Sequence, residues 1–162
     1  MQGKQLNKFW ALPRATKLAY CEAVLLLTVA QVLIKALPYA WWSRSLGPVV
    51  RSPPRSNFLA APQTACAVGA AVETVARNLP WDVVCLPRAM AAKWMLERRR
   101  IPSTLFVGSR TLRGATSNRL ALHAWLEAGS TMVTGGEIAN DFHIVAQYGP
   151  SKRLLNSPQD DF

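Results

Sequence analysis

Paired cysteine spacings are missing from this chain. Its three cysteines, Cys21, Cys66 and Cys85, form no CxxC pair and no even-numbered framework, which argues against a disulfide-stapled secreted scaffold and for a reducing cytoplasm. Histidine is scarce as well. Only His123 and His143 are present, too few and too far from any cysteine pair for a structural zinc site, so no metal is expected. Neither GxxxxGK[ST] nor GxGxxG occurs, so no nucleotide cofactor is expected either. Acidic side chains are few: 9 Asp and Glu stand against 19 Lys and Arg in 162 residues, a net charge of +10. That excess implies acidic contacts or a solvated basic face. A nucleic-acid-binding module would cluster its cations with stacking aromatics, and here the aromatics lie mostly in apolar contexts with no binding motif. No nucleic-acid partner is expected.

What the chain does have is apolar material. Half of it is hydrophobic and 17% is charged, enough to bury a core. The charge is uneven. Residues 1–56 carry eight basic side chains and a single acid, Glu22. Three parts are expected: a hydrophobic and basic helix with its linker over 1–56, a catalytic-sized core over 57–150, and a polar, mobile tail over 151–162. The uncharged run 23–34 (AVLLLTVAQVLI) is too short to cross ~30 Å of hydrocarbon. Glu22 at its edge and the ALPYAWW that follows make a poor signal peptide. A helix over 14–36, docked on the core, a partner or a membrane surface, fits better. Residues 43–56 (SRSLGPVVRSPPRS) read as a linker without regular structure.

Helices are expected at 63–78 and 85–100. Pro87 suits a first turn, and Arg98, Arg99 and Arg100 suit the negative end of a helix dipole. After Pro102 the period changes to that of strands: 103–107, then a polar loop over 108–118, then 119–128, 131–134 and 142–148. In 119–128 the alternation sets Leu120, Leu122, Ala124 and Leu126 on one face and His123, Trp125 and Glu127 on the other. The fold class is α+β, helices on a small antiparallel sheet, with the Cys85 helix against the strand that bears His123.

Cys85 opens a helix after a Pro-Trp break. There the dipole and unpaired N–H groups favour a thiolate and can hold an oxyanion, although a small buried hydrophobe is an equally ordinary fate for a free cysteine. His123 is placed to act as its base. Cys21 and Cys66 read as packing residues and His143 as structural or surface.

Four pieces in order carry a resemblance: Pro80-Trp81-Asp82-Val83-Val84-Cys85-Leu86-Pro87-Arg88-Ala89-Met90, Met95-Leu96-Glu97-Arg98-Arg99, Ile101-Pro102 with its strand, and Leu122-His123-Ala124-Trp125-Leu126-Glu127. The chain resembles the leader peptidases of lasso peptide biosynthesis, in the stand-alone form that lacks the leader-recognition domain, over about 14–148. The resemblance implies a papain-related, transglutaminase-like core. It implies Cys85 as nucleophile and His123 as base, a precursor peptide as substrate, a small leader-recognition protein as partner, and a separate asparagine-synthetase-like cyclase that closes the lactam. Such a family is expected to place an Asp about a dozen residues after the His. Here that stretch reads Val133-Thr134-Gly135-Gly136-Glu137. Glu137 is the nearest carboxylate, Asp141 lies beyond, and a backbone carbonyl or a water is a further choice. The basic side chains, Arg98, Arg99 and Arg100 among them, are candidates for acidic contacts with leader or cyclase. Other readings are a non-catalytic scaffold of the same complex and peripheral membrane contact through the first helix.

Overall fold

The computed structural model describes residues 13–51, 62–113, 118–151 and 154. Among these residues four helices come in chain order: α1 (Arg14–Ala36), a single turn α2 (Tyr39–Trp42), α3 (Pro62–Asn78) and α4 (Cys85–Arg98). Four strands follow, β1 (Thr104–Arg113), β2 (Asn118–Ala128), β3 (Thr131–Thr134) and β4 (His143–Tyr148), with a 3-10 helix at Gly136–Asp141 between the last two. The sheet is antiparallel in the order β3-β2-β1-β4. This is the α+β arrangement that the change of period after Pro102 predicts.

Small residues set the helical layer. Ala23, Leu27 and Ala30 of α1 are fully buried, and they recur at helical spacing on one stripe that faces α3 and α4. Gly69 of α3 sits so close to β3 that a Cβ there would lie 2.2 Å from the Val133 carbonyl oxygen. Met90, Met95 and Leu96 of α4, Leu105 of β1, and Leu126 and Ala128 of β2 complete one core. Of the three docking sites expected for α1, its inner stripe takes the core. Its Glu22 carboxylate also takes a two-pronged contact from Arg99, at 2.7 and 3.2 Å, and a third contact from Arg98 at 3.2 Å. These two cations hold α1 onto the end of α4, so only Arg100 of the basic triplet keeps its charge without an acid beside it among the described residues.

Several sequence expectations change on the structure. The polar loop expected over 108–118 is strand to Arg113, paired in register with β2 from Gly108↔His123 to Arg113↔Asn118. Its polar residues Ser109, Arg110 and Thr111 break the apolar alternation, and the segment is strand through its pairing with β2, which is why hydropathy alone hid it. The linker stretch has local structure: a 3-10 helix at Ser43–Leu46 and a bridge from Val49 to Tyr148. The rest of it, from Ser52, lies outside the described residues, as does nearly all of the 151–162 tail. Cys21 and Cys66, expected to be packing residues, are both exposed, because each falls on the outward side of its helix. His143 is exposed, at the edge of the sheet.

Lys93 is a feature no pattern announced. It is fully buried in the middle of α4. Its Nζ donates to the carbonyls of Ser103 and Gly149, each at 2.9 Å, and lies 3.4 Å from Glu97 Oε1. Burial lowers its pKa from 10.5, and Glu97 opposes the shift. Tyr148, just before Gly149, bonds the hydroxyl of Tyr39 and is pushed well above the usual tyrosine range, by burial first and then by that bond.

Candidate active site

Cys85 is the first residue of α4. The residue before it, Val84, is extended (φ −75°, ψ 175°) and supplies no side-chain cap. The opening N–H groups of α4 thus have no side-chain acceptor and point out of the helix beside the thiol. Pro87, fully buried in the first turn, has no N–H to leave unpaired. The approach to Cys85 is tied down by Arg88. Its Nε donates to the Val83 carbonyl at 2.8 Å and its Nη1 to Glu73 Oε2 of α3 at 2.9 Å. Cys85 itself is half-buried, so it is reachable.

His123 stands on β2 with 8% of its surface exposed. Its Nε2 lies 2.7 Å from the carbonyl oxygen of Gly135. A carbonyl can only accept, so Nε2 carries the proton and Nδ1 is left with its lone pair. Aromatic rings hold the imidazole on the sheet. Trp125 lies parallel to it at 6.0 Å and Phe142 tilts against it at 5.2 Å. Trp125 is fixed in turn by Phe106 at 5.4 Å and by its Nε1 donating to Glu127 at 3.0 Å. Gly108, opposite His123 on β1, makes room for this cluster: a Cβ there would meet the Trp125 ring at 2.9 Å.

The contact with His123 depends on the backbone of Gly135. This glycine ends β3 in the left-handed region (φ 73°), where a side chain is strained. A Cβ at Gly135 would lie 2.7 Å from the Ala124 carbonyl and 3.2 Å from His123 Nε2. Only a glycine brings this carbonyl under the imidazole without displacing the strand beside it.

Cys85, His123 and Glu137 line one cleft of about 960 Å³, with Val84, Met132 and Ile138 as apolar walls. Glu73, Arg77 and Arg88 of the two helices form its charged side. That volume suits a peptide segment of a few residues. The three residues expected from the sequence all line this cleft. Among the described residues, however, Glu137 makes no hydrogen bond or ion pair, and the carboxylate of Asp141 is engaged elsewhere, with Arg110 at 3.0 Å. That arginine also covers the Phe142 ring, at 4.9 Å. The Gly135 carbonyl was legible only as one choice among several, since a main-chain acceptor leaves no side chain to read; the glycine pair was its one trace.

A family model described as the transglutaminase-like superfamily matches residues 33–147. No curated protein and no solved structure matches the chain.

Proposed function

The chain belongs to the transglutaminase-like superfamily, which includes cysteine peptidases, and from that premise we propose that it is a cysteine peptidase acting on a peptide precursor. The observation that carries this is the cleft shared by Cys85 at an uncapped helix start and by His123, whose Nε2 is spent on a carbonyl. In this mechanism His123 Nδ1 takes the Cys85 proton and Sγ attacks the scissile carbonyl. The N–H groups that open α4 receive the oxyanion. The amine leaves with the proton held on His123, giving a thioester. His123 then deprotonates a water that adds to the thioester, and the acid product leaves as the proton returns to sulfur. The orienting group for the imidazole is the Gly135 carbonyl. Glu137, on the cleft wall two residues on, adds negative potential near the imidazolium rather than a bond.

The resemblance to lasso peptide leader peptidases supplies the finer part of the proposal. The substrate is then a ribosomally made precursor whose leader is removed in the cytoplasm, with a small leader-recognition protein presenting it and an asparagine-synthetase-like cyclase consuming the freed amine. The test is mass spectrometry of the precursor encoded beside this chain, incubated with the protein and the leader-binding partner. One cut at the leader–core junction is expected. A folded protein that leaves partner-bound precursor intact would point to the non-catalytic scaffold instead.

Two further outcomes follow. Iodoacetamide is expected to alkylate Cys85 at least about tenfold faster than Cys21 or Cys66, although those two are more exposed. Labelling that simply follows exposure would count against an activated thiol. Replacing Gly135 with Ala should lower kcat/KM by roughly 10²-fold while costing about 1–2 kcal/mol of stability, because the left-handed backbone and the displaced carbonyl are lost together. Glu137→Gln should cost less than about fivefold. A loss of about 10²-fold or more from Glu137→Gln would transfer the orienting role to that carboxylate.

A further inference from the structure

The first helix carries two apolar faces, and the core uses one. Opposite the buried stripe of Ala23, Leu27 and Ala30 runs a second stripe at steps of three and four residues: Leu18, Cys21, Leu25, Val29 and Val32. Leu18 is 70% exposed, Leu25 61% and Val32 56%. Large side chains at such spacing on a solvent face are unusual in a protein that stands alone. Beside Val32 the stripe opens into a shallow groove of about 480 Å³, walled by Trp81 and bordered by Lys35. Trp41, 71% exposed, and Tyr39 follow the helix end.

Cations predominate around this stripe. Arg14 and Lys35 mark the two ends of α1, and Arg44 follows as a further exposed cation. The single acid of residues 1–56, Glu22, is already held by Arg98 and Arg99. An apolar stripe with aromatic side chains nearby and uncompensated cations around it matches an anionic bilayer surface: the stripe enters the acyl boundary, tryptophans sit at headgroup depth and the cations meet phosphates. A second copy of this chain would bring cation against cation. By length and composition α1 could also cross a membrane, but its inner stripe is committed to α3 and α4 and its Glu22 to α4, which favours a helix lying flat.

We propose that α1 docks the protein onto anionic lipid, parallel to the membrane plane, through Leu18, Leu25, Val29 and Val32. The experiment is flotation of the full chain with vesicles of an equal mixture of phosphatidylglycerol and phosphatidylcholine, beside vesicles of phosphatidylcholine alone. The protein is expected to float with the anionic vesicles, to bind phosphatidylcholine at least about tenfold less, and to be released by high salt or by alkaline carbonate. Leu25→Glu/Val32→Glu, both on the exposed face, should abolish flotation with unchanged circular dichroism, and Lys35→Glu should weaken it. Absence of flotation by the folded protein overturns the proposal. So does equal binding to both vesicle types, or retention in carbonate, which would mean a crossing helix. Dimerisation in light scattering that the double variant abolishes, without lipid binding, would assign the face to a second copy.

Discussion

Replacing Cys85 with Ala is expected to reduce precursor cleavage by roughly 10⁴-fold or more, and His123→Ala by a similar factor. The two losses should not add. Once the thiol is gone the imidazole has nothing to activate, so the double variant should match the worse single one. Stability should barely change for Cys85→Ala, since the side chain is only half-buried and its removal opens the cleft rather than a sealed cavity. The measurement is initial rate by mass spectrometry, with melting midpoints alongside. Cleavage at the normal rate by Cys85→Ala would sink the peptidase proposal, and an equal loss of folding would strip the result of its meaning for catalysis.

The largest expected effect on stability comes from Lys93, far from any chemistry. Lys93→Met keeps much of the volume but strands the carbonyls of Ser103 and Gly149 and removes the cation beside Glu97. Each buried acceptor left unpaired costs about 1–3 kcal/mol. Against this stands the relief of no longer burying a charge, which can offset such a loss. Three acceptors lose one donor, so the loss is expected to win by about 2–4 kcal/mol, a fall in melting midpoint of roughly 5–15 °C for a chain of this size. A pH series gives a second readout. The lowered pKa means that the folded state holds fewer protons than the unfolded one between the lowered value and 10.5. Across that window the Lys93 contribution to stability rises with pH. The gap between the wild-type and Lys93→Met midpoints should therefore widen as pH climbs toward 10.5. Tyr148 works in the other direction, since its raised value makes the fold lose stability as pH passes the ordinary 10.0, and it does so in both proteins. A neutral or stabilising Lys93→Met would show that the buried ammonium is a net cost.

The helices and most strands were legible because their burial follows from local pattern. The Leu120–Leu126 alternation placed His123 and Trp125 together, and Pro87 fixed the start of the helix at Cys85. What stayed hidden depends on pairing between distant segments. The second half of β1 has no apolar rhythm and is strand because β2 pairs with it residue for residue. The exposure of Cys21 and Cys66 depends on which stripe of each helix meets a neighbour, and in α1 both stripes are apolar. Lys93 looks like any helical surface lysine until the ends of β1 and β4 are folded over it. The site divides the same way. The two side chains proposed to react are read directly from residue type and context, whereas the group bonded to the imidazole is a carbonyl and carries no letter of its own.

The Gly135 carbonyl, in the orienting role proposed for it, has a genetic consequence. A carboxylate in that role can be deleted by one codon change, and catalysis goes with it. A main-chain oxygen is present whatever residue the codon specifies. It can be moved but not removed. Tolerance at this position is therefore governed by backbone shape alone, and a scan for a third conserved acid or amide would pass over it. The vulnerable letter is a glycine whose own side-chain chemistry is nil.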